Sequence, residues 1–185
     1  PNAGCICNTD GGQLFAGNLT GTGLLTEITS FPTGANVTGG ICVLHPYLTY
    51  FGYDGFLGWS VAGDPTDLTG VGSGNARIAA QKIDRGLPLR GGPGNAPAGL
   101  YWSADAVIRA SFVGGTQIFQ FDTISTQTSI LSANCVIEYD GIFYWVGTDR
   151  FLMYNGVVQE VENKQNFNYF FDNLNIAQRQ KVWVS

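Results

Sequence analysis

Glycines at Gly11, Gly55, Gly99 and Gly141 stand 44, 44 and 42 residues apart, and a short aromatic run follows each of them. Three of the four come after an aspartate (Asp10, Asp54, Asp140); the fourth comes after Ala98. Asp-Gly between apolar runs is a hairpin signal, because both central residues of the favoured two-residue turn take positive φ. The runs are QLFAG, FLGWS, LYWS and IFYWVG. A chain that repeats strand, turn and strand at this interval points to stacked antiparallel units of the kind that form β-propeller blades. An ordinary β-sandwich of hairpins is the other architecture that turn signals of this density suit.

Two units can be read strand by strand. In GICVLHPYLTYFGYDGFLGWS, Ile41, Val43, Tyr47, Thr49 and Phe51 occupy alternate positions and Asp54-Gly55 reverses the chain. In NCVIEYDGIFYWVGTDRFLMYNGVVQEV, four strands are expected at 135–139, 142–147, 151–154 and 157–161, with turns at Asp140-Gly141, Thr148-Asp149 and Asn155-Gly156. The third unit departs from this pattern, since RGGPGNAPAG precedes Gly99 where a strand should stand. Residues 63–99, with Pro65, Pro88, Pro93 and Pro97, read as long loops around a short middle piece. Near the C-terminus Phe167, Phe170, Phe171 and Leu174 fall at i, i+3, i+4 and i+7, which predicts a short helix before a final strand starting near Lys181.

The expected fold class is therefore all-β: propeller-like blades of antiparallel strands with long loops and one short C-terminal helix. The chain reads as a single domain over 1–185, with units starting near 5, 41, 87 and 134, and with 163–185 holding the helix and the start of a further strand. An opening Pro1 and an ending KVWVS inside an apolar pattern are expected of a segment of a longer propeller.

Composition narrows the function. Charged residues make up 12% of the chain, against about a quarter in ordinary domains, so hydroxyls, amides and backbone must cover the surface. A net charge of −5 with nine scattered basic residues argues against a surface built to neutralise many phosphates. The longest apolar stretches fall far below the roughly 20 residues of a membrane-spanning helix, so no membrane partner is expected. Cys5, Cys7, Cys42 and Cys135 form neither a CxxC pair nor zinc knuckles and read as reduced thiols, with a Cys42–Cys135 disulfide left open. Asn18-Leu19-Thr20 and Asn36-Val37-Thr38 match the glycosylation pattern, and their frequency is that of chance in a chain rich in Thr and Asn.

No catalytic, cofactor-binding or metal-binding residues are assigned, and no cofactor is expected. His45 is the single histidine and precedes Pro46, which removes the commonest member of triads and acid–base pairs. Among the carboxylates Asp54, Asp64, Asp67, Asp105, Asp122, Glu138, Asp140 and Asp149, a glycosidase pair is conceivable, but turn chemistry already accounts for Asp54 and Asp140. Asp64 and Asp67 lack the ligand spacing of a calcium loop, and an Asx-turn is the simpler reading of Asp64-Pro65. GVGSGN and RGGPGN lack the following Lys-Ser/Thr of a phosphate loop. Four of the nine basic residues, Arg77, Lys82, Arg85 and Arg90, lie within fourteen positions, and these are the candidates for partner contact.

The strings GLPLRGGPGNAPAGLYWSADAVIRASF, ILSANCVIEYDGIFYWVGTDRFLMYNGVV and NKQNFNYFFDNLNIAQRQKVW resemble structural proteins of tailed bacteriophages, namely the propeller-bearing tail or nozzle components of short-tailed particles. The similarity covers about residues 39–185. It implies a non-enzymatic virion protein of the phage tail, in a ring of identical subunits around a DNA exit channel. The implied partners are copies of itself and other tail proteins, with non-specific proximity to DNA. The resemblance supplies no catalytic residue. A secreted glycan-binding propeller, holding sugars on Tyr, Trp and Asn faces, is the competing expectation.

Overall fold

A computed structural model describes residues 4–18, 23–90, 96–126 and 128–185. The Asn18 side chain, residues 19–22 and the glycine-rich stretch 91–95 of the third unit lie outside the described residues. Among the described residues fifteen strands make four antiparallel sheets, each a meander of consecutive strands. The first holds β1 (Gly4–Asn8), β2 (Leu14–Asn18) and β3 (Thr26–Ile28). The second holds β4 (Gly40–Leu44), β5 (Tyr47–Phe51), β6 (Phe56–Trp59) and β7 (Gly74–Arg77). The third holds β8 (Ile83–Pro88), β9 (Ala98–Ser103), β10 (Val107–Phe112) and β11 (Phe119–Ser125). The fourth holds β12 (Val136–Tyr139), β13 (Ile142–Val146), β14 (Phe151–Tyr154) and β15 (Val158–Glu160).

The sheets pack face to face in sequence order, as blades do. Leu14 and Ile28 of the first meet Tyr50 and Phe56 of the second. Leu44, Phe51 and Trp59 of the second meet Tyr101, Ala110 and Phe119 of the third. Leu100, Trp102 and Val107 of the third meet Phe143, Trp145 and Tyr154 of the fourth. Strand alternation makes this possible, because a sheet buried on both faces must carry apolar residues at every position. β5 (YLTYF) and β9 (AGLYWS) are buried along their whole length. Trp59, Trp102 and Trp145 are core residues of the blade interfaces.

Several details differ from the sequence reading. Gly99 is no turn residue: it lies in β9, paired with both Pro88 and Ala110. A strand does precede it, since β8 pairs along β9, and the Gly/Pro-rich stretch only lengthens the connection between them. Residues 63–99 accordingly contain two ladder strands, β7 and β8, rather than loops around one short piece. Asp-Gly at 54–55 joins the second and third strands of its sheet, whereas Asp-Gly at 140–141 joins the first and second, so the glycine interval does not mark equivalent positions. The second unit also reverses once more than expected, at the two-residue His45-Pro46 link. That turn pairs Ile41 with Tyr50 and Cys42 with Thr49, so Ile41 and Val43 face away from Tyr47, Thr49 and Phe51.

Both Asp-Gly pairs take positive φ at both residues: 52° and 75° at Asp140-Gly141, the two-residue turn between Tyr139 and Ile142, and 54° and 63° at Asp54-Gly55, which closes the longer 52–55 connection between β5 and β6. In the fourth unit all four strands fall where the sequence places them. Helix α1 (Lys164–Asp172) opens on Asn163, whose side chain accepts from the Asn166 backbone N–H at 3.3 Å. Its Phe167, Phe170 and Phe171 gather around Phe151 of β14. After a 3-10 turn at Ile176–Lys181 the chain runs extended, not as a ladder strand, and the Val184 N–H donates to the Asn134 carbonyl at 3.0 Å.

Candidate interaction surface

The basic residues are distributed rather than gathered. Arg77 ends β7 and pairs with Asp54 at 3.3 Å, its guanidinium also donating to the Asp54 carbonyl at 3.1 Å. Lys82 sits 3.4 Å from Asp84, with its ammonium 5.5 Å from the Tyr53 ring centre. These two therefore flank the Asp54-Gly55 turn. Arg90 reaches the other way, to Glu138 of β12 at 3.7 Å. Arg85 lies in β8 with its Nε buried and without a hydrogen-bond partner, and its charge acts on the nearby Cys42 thiol. Three of the four cations thus have a carboxylate neighbour, which lowers what they offer a polyanion.

The acidic residues are used locally. Asp64 accepts from the Thr66 N–H at 3.0 Å and from its hydroxyl at 2.7 Å, and these bonds hold its carboxyl below the usual range. Asp67 accepts from the N–H groups of Thr69 and Gly70. Both are turn contacts, anchored by the buried Leu68. Asp105 accepts from the Ser103 hydroxyl, Asp122 from Arg109 and Gln120, and Asp149 from Arg150. Among the described residues no three His, Cys, Asp or Glu side chains come together as a metal-binding group. Asn36 is likewise turned inward, accepting from the backbone and hydroxyl of Thr38.

All four cysteines are free. Cys42 and Cys135 are buried in different cores, which rules out the open Cys42–Cys135 pairing in this fold. Burial pushes the Cys42 thiol up to about 12, so it is a packing group and not a nucleophile. Beside it a polar chain crosses the second blade interface: the Tyr101 hydroxyl meets Thr49 Oγ1 at 2.7 Å, and Thr49 donates to the Cys42 carbonyl at 2.7 Å. Full burial raises the Tyr101 phenol well above its ordinary value. His45 is exposed and lines, with Cys5, Val43, Tyr47 and Thr66, a cleft of about 420 Å³ between the first and second sheets.

The surface feature that sequence reasoning missed is apolar. Tyr139 is 74% exposed, and on the C-terminal segment Tyr169, Ile176 and Trp183 are 75%, 69% and 68% exposed. Strand alternation in the fourth unit was the available signal: it places Ile137, Tyr139, Tyr144 and Met153 opposite the core residues. Fold and surface together define an all-β protein of stacked, blade-like antiparallel sheets, lightly charged, with large aromatic and aliphatic side chains open on its surface. A scan against protein-family models and a search of curated proteins return no match.

Proposed function

We propose that this chain is a non-enzymatic structural virion protein, part of a phage tail assembly, that acts through subunit contacts around the DNA exit channel. The observation that carries the reading is the set of large apolar side chains, Tyr139, Tyr169, Ile176 and Trp183, left open on a weakly charged body. Aromatic anchors of this kind are what buried interface centres use. The resemblance of the three strings quoted above supplies the tail assignment. The cations Arg77, Lys82 and Arg90, with carboxylates beside them, suit a protein that stands near DNA without gripping it.

The test is to purify particles from infected cells and follow the chain by mass spectrometry and gold-labelled antibody. The expected result is a fixed copy number in the particle with label on the tail. A chain found only free in the medium, monomeric and retained on a glycan array, overturns the proposal in favour of a secreted glycan-binding propeller.

A further inference from the structure

The chain contains a single Asn-Gly pair, Asn155-Gly156, and the fold sets it in the turn between β14 and β15. Both residues are exposed. Gly156 takes a φ of 110°, and a Cβ built on it would meet nothing within 4 Å, so the turn is uncrowded. The Asn155 N–H reaches the Val157 carbonyl at 3.4 Å, a long bond. Among the described residues neither the Asn155 side-chain amide nor the Gly156 N–H has a hydrogen-bond partner.

Other asparagines are held or shielded. Asn36 accepts from the Thr38 N–H and hydroxyl at 3.1 and 2.7 Å, Asn163 and Asn175 cap α1 and the 3-10 turn, and Asn173 donates to the Tyr169 carbonyl at 2.8 Å. The residues after them, Val37, Lys164, Ile176 and Leu174, carry side chains that crowd the following backbone nitrogen. The Asp-Gly pairs are poorer candidates, because a carboxylate resists nucleophilic attack. At Asp54-Gly55 the glycine is also buried against the Ala79 backbone.

We infer that Asn155 is a site of spontaneous covalent modification, in which the Gly156 backbone nitrogen attacks the Asn155 side-chain amide carbon. A bond forms between that nitrogen and Cγ, the bond from Cγ to Nδ2 breaks, and the proton of Gly156 leaves with the amide nitrogen as ammonia. Water then opens the succinimide at either carbonyl. One opening gives aspartate; the other gives isoaspartate, whose main chain runs through the side-chain carbon. Water is the one co-reactant, and no oxidant or reductant enters the balance. Glycine permits the step, since without a Cβ its nitrogen is open to approach and its backbone can turn to meet Cγ.

The structural consequence falls on β15. This strand has three residues, paired with β14 as Leu152 with Glu160, Met153 with Gln159 and Tyr154 with Val158. The Val161 N–H extends the ladder to the Phe151 carbonyl at 2.9 Å. Isoaspartate adds a carbon to the link that fixes this register, so β15 loosens. The pairing of β12, β13 and β14 lies on the other side of β14 and is spared.

The inference is independent of the tail assignment, so it is tested on the purified folded chain, held at physiological temperature in mildly alkaline buffer and sampled over weeks. Trypsin releases the peptide from Phe151 to Lys164, which carries Asn155 and, as an internal control, Asn163. Tandem mass spectrometry is expected to find the amide-to-acid mass shift growing at Asn155, as aspartate and isoaspartate, with Asn163 intact. Hydrogen exchange of the aged chain is expected to quicken at 158–161 and to stay unchanged at 142–146. Asn155→Gln keeps an exposed amide and should show neither the shift nor the loosening. Three results overturn the inference: Asn155 intact in the folded chain while the free tryptic peptide converts, Asn163 converting as fast as Asn155, or exchange at 158–161 unaltered by conversion.

Discussion

At the residue scale, the buried Cys42, Thr49 and Tyr101 chain ties two blades together. Thr49→Val removes the acceptor of a fully buried phenol, so we expect a loss of about 1–3 kcal/mol in urea unfolding. Tyr101→Phe removes the orphan together with the bond and is expected to cost about 1 kcal/mol, with the double variant milder than Thr49→Val alone. The same cluster sets an alkaline limit. Cys42 rises from 9.0 to about 12 on folding, so the native state keeps a proton that the unfolded chain gives up. Its stabilising effect is complete below pH 9 and is lost as pH climbs toward 12, by about 1.4 kcal/mol per unit. The melting temperature should fall steadily over that interval. The acid limb has the opposite sign. Asp64, Asp122 and Asp149 are held below their ordinary values, so their small surface contributions are present above about pH 4 and fade as pH drops through the native values.

At the scale of elements, two turns with the same sequence carry different constraints. At Gly55 a Cβ would stand 1.9 Å from the Ala79 carbonyl oxygen, while at Gly141 it would meet nothing within 4 Å. Gly141→Ala bears only the strain of positive φ, about 1 kcal/mol, whereas Gly55→Ala must also push a backbone segment aside and should lose about 3 kcal/mol or more. Chemical denaturation of the two variants side by side checks the difference. This contrast also shows where the sequence was readable. The Asp-Gly turns, the fourth blade and α1 were legible because their signals are local: positive-φ residues, period-two runs and an i, i+3, i+4 stripe of Phe. The third blade was not. Its β8 carries Asp84 and Arg85 inside the strand and ends on Pro88, and a connection rich in Gly and Pro separates it from its ladder partner. Only pairing with the buried β9 makes it a strand, and pairing is not a local property. The His45-Pro46 reversal was hidden for a similar reason, since five odd-numbered residues mimic one continuous face.

At the scale of the whole molecule, legibility falls further. The repeat points to units stacked in sequence order, but the blade count does not follow from it, because which strands make each sheet depends on pairing across the chain. The basic stretch looked like one patch on the line of the sequence, and folding sends Arg90 to Glu138 while Arg77 and Lys82 stay with the Asp54 turn. Duplex DNA in about 150 mM salt should accordingly gain no measurable affinity from these residues, as fluorescence anisotropy can check. Thiol labelling gives a second reading of the whole fold: the half-buried Cys5 and Cys7 should react in the native state, and Cys42 and Cys135 only on unfolding.

Within every sheet each strand pairs only with its neighbours in the chain. Among the described residues no ladder waits for a distant segment, so a nascent polypeptide can complete its second meander before its fourth has been synthesised. Damage is partitioned in the same way, and a lesion in the first sheet leaves the hydrogen bonds of the fourth untouched. Such an arrangement lets blades be duplicated, lost or diverged one at a time over evolutionary history, with the cost confined to the neighbours on either side.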